Sequence, residues 1–126
     1  MIYENKLIYL KQEISEIPWV KIFTKKEYKE LSDCDEATRN AIFKASLCVE
    51  KTMLKFYNPD KINMASFANY VPKVHIHVMA RFKNDSYFPE CMWGKKQREG
   101  KLNLPNFDDF CTVLKSNLKE CFEANS

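Results

Sequence analysis

The stretch Asn69-Tyr70-Val71-Pro72-Lys73-Val74-His75-Ile76-His77-Val78-Met79-Ala80-Arg81-Phe82 holds the clearest pattern in the chain. Within it Val74, Ile76, Val78 and Ala80 alternate strictly with His75, His77, Met79 and Arg81. A period of two is the signature of a β-strand, whose successive side chains leave opposite faces. His75 and His77, the only two histidines among 126 residues, therefore emerge on one face, roughly 7 Å apart at Cα. The other face is wholly aliphatic, so the imidazoles are expected on the face away from the core. Arg81 at the strand end is expected to be structural or to sit at a rim.

Further strands are expected in Lys6 to Gln12, where Leu7, Ile8, Tyr9 and Leu10 cluster, and in Trp19 to Thr24, opened by Pro18. These two read as antiparallel neighbours. Between Asp33-Cys34-Asp35-Glu36, a D-x-x-E helix start, and Asn58-Pro59, no Gly or Pro interrupts a stripe of Ala41, Ala45, Cys48, Thr52 and Phe56, flanked by Ile42, Val49 and Met53. A long helix is predicted there. Period two returns from Lys61 through Ile62 and Met64 and runs on toward a turn at 66–70. After a long loop from Lys83 to Pro105, Phe107, Phe110, Leu114 and Cys121 mark a closing amphipathic helix, capped by Asn106. The expected class is α+β, one domain over residues 1–126, with an antiparallel sheet against one long and one terminal helix.

Composition narrows the functions. Apolar residues at 45% and charged residues at 29% fit a globular chain, and a net charge of +3 is too small for a dedicated nucleic-acid binder. With only Gly94 and Gly100, neither a dinucleotide-binding fingerprint nor a P-loop is possible, so any phosphate is held by other means. Five cysteines without a C-x2-C pair signal neither a disulfide framework nor a zinc ribbon. Cys48, Cys111 and Cys121 read as small buried thiols. No basic segment leads into an apolar stretch at the start, and no apolar run approaches the ~20 residues that span a bilayer. The expectation is a cytoplasmic protein without membrane contact.

Three uses remain open for the histidine pair from the residues alone. A buried structural role is one. Metal binding is a second, since H-x-H supplies two ligands, although a third would have to come from Cys91 or a distant carboxylate. Nucleophilic catalysis is the third: a neutral imidazole attacks when one ring nitrogen holds its proton in a fixed hydrogen bond and the other presents its lone pair.

At these residues the chain resembles the histidine triad family, nucleotide hydrolases and transferases with the motif His-φ-His-φ-His-φ-φ. Pro18-Trp19, the long helix, Val71-Pro72, Arg81-Phe82, Phe88-Pro89 and Trp93-Gly94 extend the resemblance to a bacterial branch, from about Leu7 to Gly94. It implies a sheet of about five antiparallel strands and a symmetric homodimer. It further implies a reaction at the α-phosphate of a nucleotide derivative, of dinucleoside polyphosphate or nucleoside phosphoramidate type, through a covalent nucleotidyl-histidine. By the same resemblance His75 matches the nucleophile, and His77 the residue that contacts phosphate and assists the leaving group. Asn69, four positions before the first motif position, matches a phosphate-binding amide. No tightly bound cofactor is implied, although divalent metal can accompany the substrate, and purine nucleotides or dinucleotides are the expected ligands.

Two departures stand out. The first motif position is Lys73, where some relatives carry glutamine; an ammonium can only donate, and Lys73 could neutralise phosphate or be an ordinary exposed lysine. The asparagine that many members carry after the first strand has no clear counterpart in Gln12 or Glu13. Trp93, beside Lys95, Lys96 and Arg98, could cover a base, or this could be a solvated basic loop. A noncatalytic nucleotide-binding adaptor of the same fold and a metal-binding sheet protein are the alternative functions.

Overall fold

The computed structural model describes residues 1–123. Five antiparallel strands, β1 (Tyr3–Glu4), β2 (Ile8–Gln12), β3 (Trp19–Thr24), β4 (Lys61–Ala65) and β5 (His75–Arg81), form one sheet in the order β1-β2-β3-β5-β4. Two helices follow the expected positions, α1 (Glu36–Tyr57) and α2 (Phe107–Glu123). The sequence pattern carried four of the strands; β1 is only two residues long and has no periodicity to read. β4 stops at Ala65, and the segment predicted to continue it is irregular, with Ala68 at φ 54°.

The long helix begins two residues later than the D-x-x-E pattern indicates. Asp35, not Asp33, caps it by accepting the Thr38 amide at 2.8 Å, while Asp33 accepts the Glu30 amide in the preceding short turn. Asn58 ends the helix in the left-handed region at φ 49°, a conformation that asparagine tolerates. Its stripe of Ala41, Ile42, Ala45, Val49 and Met53 packs on the aliphatic sheet face made by Ile8, Leu10, Val20, Ile22, Val78 and Ala80. α2 lies against α1 through Phe110, Leu114 and Leu118, and is capped by Asn106, whose Oδ1 accepts the Asp108 amide. The apolar stripe of α2 does not reach Cys121, which is exposed; Cys111 is half-buried, and only Cys48 of that trio is buried as expected.

On the other sheet face, the end of β5 is the densest polar junction. Of the two places expected for Arg81, the structural one holds: it is buried, and its guanidinium donates to both carboxylate oxygens of Asp85 at 3.0 and 3.1 Å, to Asn63 Oδ1 on β4 and to the Glu90 carbonyl. Asp85 also accepts the amides of Phe82, Tyr87 and Phe88. Burial opposes the ionisation of Asp85, yet Arg81 and these amides overcome it and hold its carboxyl below the usual range. The loop after β5 is further fastened where Glu16 accepts the amide and hydroxyl of Ser86. A Cβ at Gly100 would fall 2.3 Å from Glu16 Oε2 and 2.6 Å from Ser86 Oγ, so a side chain there would have to displace the Glu16 carboxylate and the Ser86 hydroxyl from this crossing.

Removing Asp85 leaves a buried guanidinium unpaired. Asp85→Ala is expected to lower unfolding stability by about 3–5 kcal/mol, read from urea denaturation. Because the folded carboxyl lies below its unfolded value, the ion pair's contribution is present above about pH 4 and is lost as pH falls through the lower folded value; the variant should lack that part of the wild-type acid transition.

Candidate active site

Pairing of β5 with β3 sets His75 opposite Phe23 and His77 opposite Lys21, and pairing with β4 sets Ala65 opposite His77. Tyr9 on β2, Phe23 on β3 and His75 on β5 form a cross-strand ladder, with ring centroids 5.0 and 4.9 Å apart and near-parallel planes. Such ring pairs contribute about 0.5–1.5 kcal/mol beyond simple burial and fix the plane of the imidazole. His75 Nδ1 lies 2.8 Å from the carbonyl oxygen of Lys73. A carbonyl only accepts, so Nδ1 carries the proton and Nε2 is left with its lone pair.

His77 has the opposite arrangement. The Trp19 indole, which can only donate, gives its Nε1–H to His77 Nδ1 at 3.0 Å. The His77 proton therefore sits on Nε2. Burial, reinforced by His75 and Lys21 and opposed by Glu13, pushes the His77 pKa down to about 4, so the ring is neutral at pH 7. The open face expected from the alternation is in fact covered: Trp19 from β3 and Trp93 from the loop after β5 meet His77 edge-on at 5.7 and 5.0 Å, and His77 is buried. Phe67 closes on Trp93 at 4.7 Å.

The two imidazoles, 4.9 Å apart at their centroids, line a cavity of about 690 Å³. Asn69 and Trp93 line it as well, whereas Lys73 does not. The Lys73 ammonium instead donates to the Tyr9 hydroxyl at 2.7 Å and lies over the Tyr9 and Phe23 rings. What position 73 offers His75 is its main-chain oxygen. Of the basic loop residues flanking Trp93, Lys96 pairs with Glu99, and Arg98 donates to the carbonyls of Asp85 and Phe88.

Lys21 is the residue that sequence reasoning missed. Among the described residues it is the only Lys or Arg lining the cavity, and it is paired with Glu13 at 3.1 Å. Its signal was present in β3, where Trp19, Lys21 and Phe23 alternate with Val20, Ile22 and Thr24, but it acquires meaning only through pairing with β5, more than fifty residues away in sequence. Among the described residues, no group of three or more His, Cys, Asp or Glu side chains is placed to hold a metal ion.

A family model described as the HIT domain matches residues 1–84. The chain belongs to the HIT, or histidine triad, family, which is of nucleotide-binding hydrolase and transferase type. Among solved structures it is similar to a histidine triad protein from Bradyrhizobium japonicum at a TM-score of 0.73 and 22% identity, covering 94% of this chain and 87% of that one. A histidine triad protein from Sinorhizobium meliloti gives 0.71 and 21%, covering 96% and 87%. A hypothetical histidine triad nucleotide-binding protein from Sulfolobus tokodaii gives 0.56 and 14%, covering 98% and 83%. No curated protein matches the chain. The five-stranded antiparallel sheet, long helix and terminal helix expected from the sequence are those of this fold. No helix among the described residues is long and apolar enough to cross a membrane.

Ring-nitrogen NMR checks the two tautomers directly. The expected outcome is a protonated Nδ1 in His75 and a protonated Nε2 in His77, with His77 remaining neutral on acidification to about pH 5. Titration of His77 near its ordinary value would contradict the burial of its ring, and a protonated Nδ1 would contradict the Trp19 hydrogen bond.

Proposed function

We propose that this protein is a nucleotide hydrolase or nucleotidyl transferase that attacks the α-phosphate of a nucleotide derivative with His75 and passes through a nucleotidyl-histidine. The observation that carries this reading is the His75 tautomer: Nδ1 keeps its proton in a hydrogen bond to the Lys73 carbonyl, which leaves the lone pair on Nε2 of a ring that lines the cavity. Transfer at phosphorus depends mainly on in-line positioning and on donors directed at the phosphate oxygens. Candidate donors are at hand in His77 Nε2–H, the Asn69 amide and the Lys21 ammonium. On this reading Lys21 exchanges Glu13 for the phosphate, and the charge role first expected of Lys73 passes to Lys21. The aromatic walls of Phe67 and Trp93 suit a nucleobase, with a purine offering the larger stacking surface.

Assembly as a homodimer accompanies this reading. β4 is an edge strand paired only with β5, and α1 exposes Phe43, Leu47 and Leu54 along one side at helical spacing. Sedimentation at micromolar concentration is expected to give a dimer; a monomer alone would remove the claim.

His75→Ala is expected to reduce turnover of nucleoside polyphosphates by roughly a thousandfold or more while retaining nucleotide binding, because it removes the attacking atom. Mass spectrometry of reactions quenched during turnover should find one nucleoside monophosphate on His75. Lys21→Gln should weaken substrate binding by about tenfold, the loss of one charge-assisted hydrogen bond, whereas Lys73→Gln should change it little. Wild-type turnover in His75→Ala, or an adduct at another residue, would overturn the mechanism; binding without cleavage of any polyphosphate or phosphoramidate would favour a noncatalytic binding protein.

A further inference from the structure

We propose that Trp19 fixes His77 as a hydrogen-bond donor that stays neutral at the pH of catalysis and so confines efficient catalysis to leaving groups that depart without being protonated. These are the phosphate and polyphosphate anions of nucleotide anhydrides, in contrast to the amines of phosphoramidates. The inference deepens the proposed function and rests on it.

The geometry leaves His77 one protonation state. To become an imidazolium it must take a proton at Nδ1, the atom to which the Trp19 indole N–H points from 3.0 Å. Two N–H groups would then face each other. Trp19 has little room to withdraw, being buried and held edge-on by Trp93 at 5.2 Å. The surroundings offer little to stabilise a cation. β5 itself brings His75, β3 brings Lys21 and Trp19, β4 brings Ala65, and the loop after β5 brings Trp93. Glu13, the carboxylate acting on His77, is already paired with Lys21.

A neutral donor suits one kind of leaving group. In the first step the His75 Nε2 lone pair forms a bond to the α-phosphorus. The bond from phosphorus to the leaving oxygen breaks, its electron pair goes to that oxygen, and the His75 proton stays on Nδ1, hydrogen-bonded to the Lys73 carbonyl. A phosphate oxygen, whose second pKa is about 6, leaves as an anion and needs only the hydrogen bond from His77 Nε2–H and the charge of Lys21. In the second step water forms a bond to phosphorus, the phosphorus–nitrogen bond breaks with its pair returning to Nε2, and the water's proton passes to solvent. An amine leaving group is different. It departs only if its nitrogen gains a proton, and a neutral imidazole supplying that proton would become an imidazolate.

The test compares wild type with Trp19→Phe, which keeps an aromatic ring and deletes the N–H. The substrates are a dinucleoside triphosphate and an adenosine phosphoramidate with an alkylamine leaving group, each assayed from pH 5 to 9. For the wild type, kcat/KM should favour the anhydride by roughly a hundredfold or more, the scale of general-acid catalysis, with no His77 limb above pH 5. In Trp19→Phe the preference should shrink by about tenfold or more, and phosphoramidate cleavage should acquire a limb between pH 5 and 7. Equal wild-type use of both substrates, or an unchanged preference and pH profile in a folded Trp19→Phe, would overturn the proposal. Should that variant not fold, a wild-type series of adenylyl substrates with leaving groups of graded pKa decides: rates should fall steeply as leaving-group pKa rises, and a flat series overturns the proposal. If neither substrate is cleaved and no nucleotidyl adduct forms, the proposed function fails. The Trp19 effect is then judged by whether the His77 ring titrates higher in Trp19→Phe, and an unmoved titration overturns it.

Discussion

The buried ion pair between Arg81 and Asp85 governs the histidine-bearing side of the sheet. Arg81 spends its donors on three separate pieces of chain: Asn63 on β4, Asp85 in the turn after β5 and the Glu90 carbonyl beyond it. Asp85 in turn gathers three main-chain amides that would otherwise be buried without acceptors. An apolar pair of similar volume could fill the same space, yet it would leave those amides unsatisfied and the loop without a fixed exit direction. That exit direction is what carries Trp93 back over His77.

With the loop in place, β5 is buried on both faces for different reasons. One face is closed by α1 and is purely a matter of apolar contact. The other is closed by rings: the Tyr9–Phe23–His75 ladder on one side and the Trp19–Trp93–Phe67 group on the other. Two chemically identical side chains, two residues apart, thereby acquire opposite proton placements. One meets a carbonyl and offers a lone pair; the other meets an indole and offers a hydrogen.

Much of this was legible in sequence wherever a local rule operates. Alternation in 74–81 gave the strand and its paired histidines, the uninterrupted stripe gave α1, and Asn58 and Asn106 marked the helix ends. What escaped depends on contacts between distant residues. Nothing periodic in 83–105 announces that this loop covers the histidine face, so His77 was expected on a face away from the core, and for Arg81 a structural role and a rim position both stayed open. Lys21 reaches His77, and Lys73 reaches Tyr9 sixty-four residues away, only through strand pairing. β1 was too short to produce any pattern.

The orientation of His75 depends on a carbonyl, and every amino acid supplies one. Position 73 is therefore chemically anonymous with respect to this imidazole, which frees its side chain to fasten the entry of β5 to Tyr9. The vulnerability moves from the identity of the residue to the direction of a peptide plane. That plane, which the Lys73 carbonyl shares with the Val74 amide, is anchored where the Val74 amide donates to the Tyr28 carbonyl, and the preceding plane is held where the Lys73 amide donates to the Val71 carbonyl. Turning it would displace the imidazole proton without altering a single side chain that lines the cavity, a lesion that no comparison of those side chains would detect.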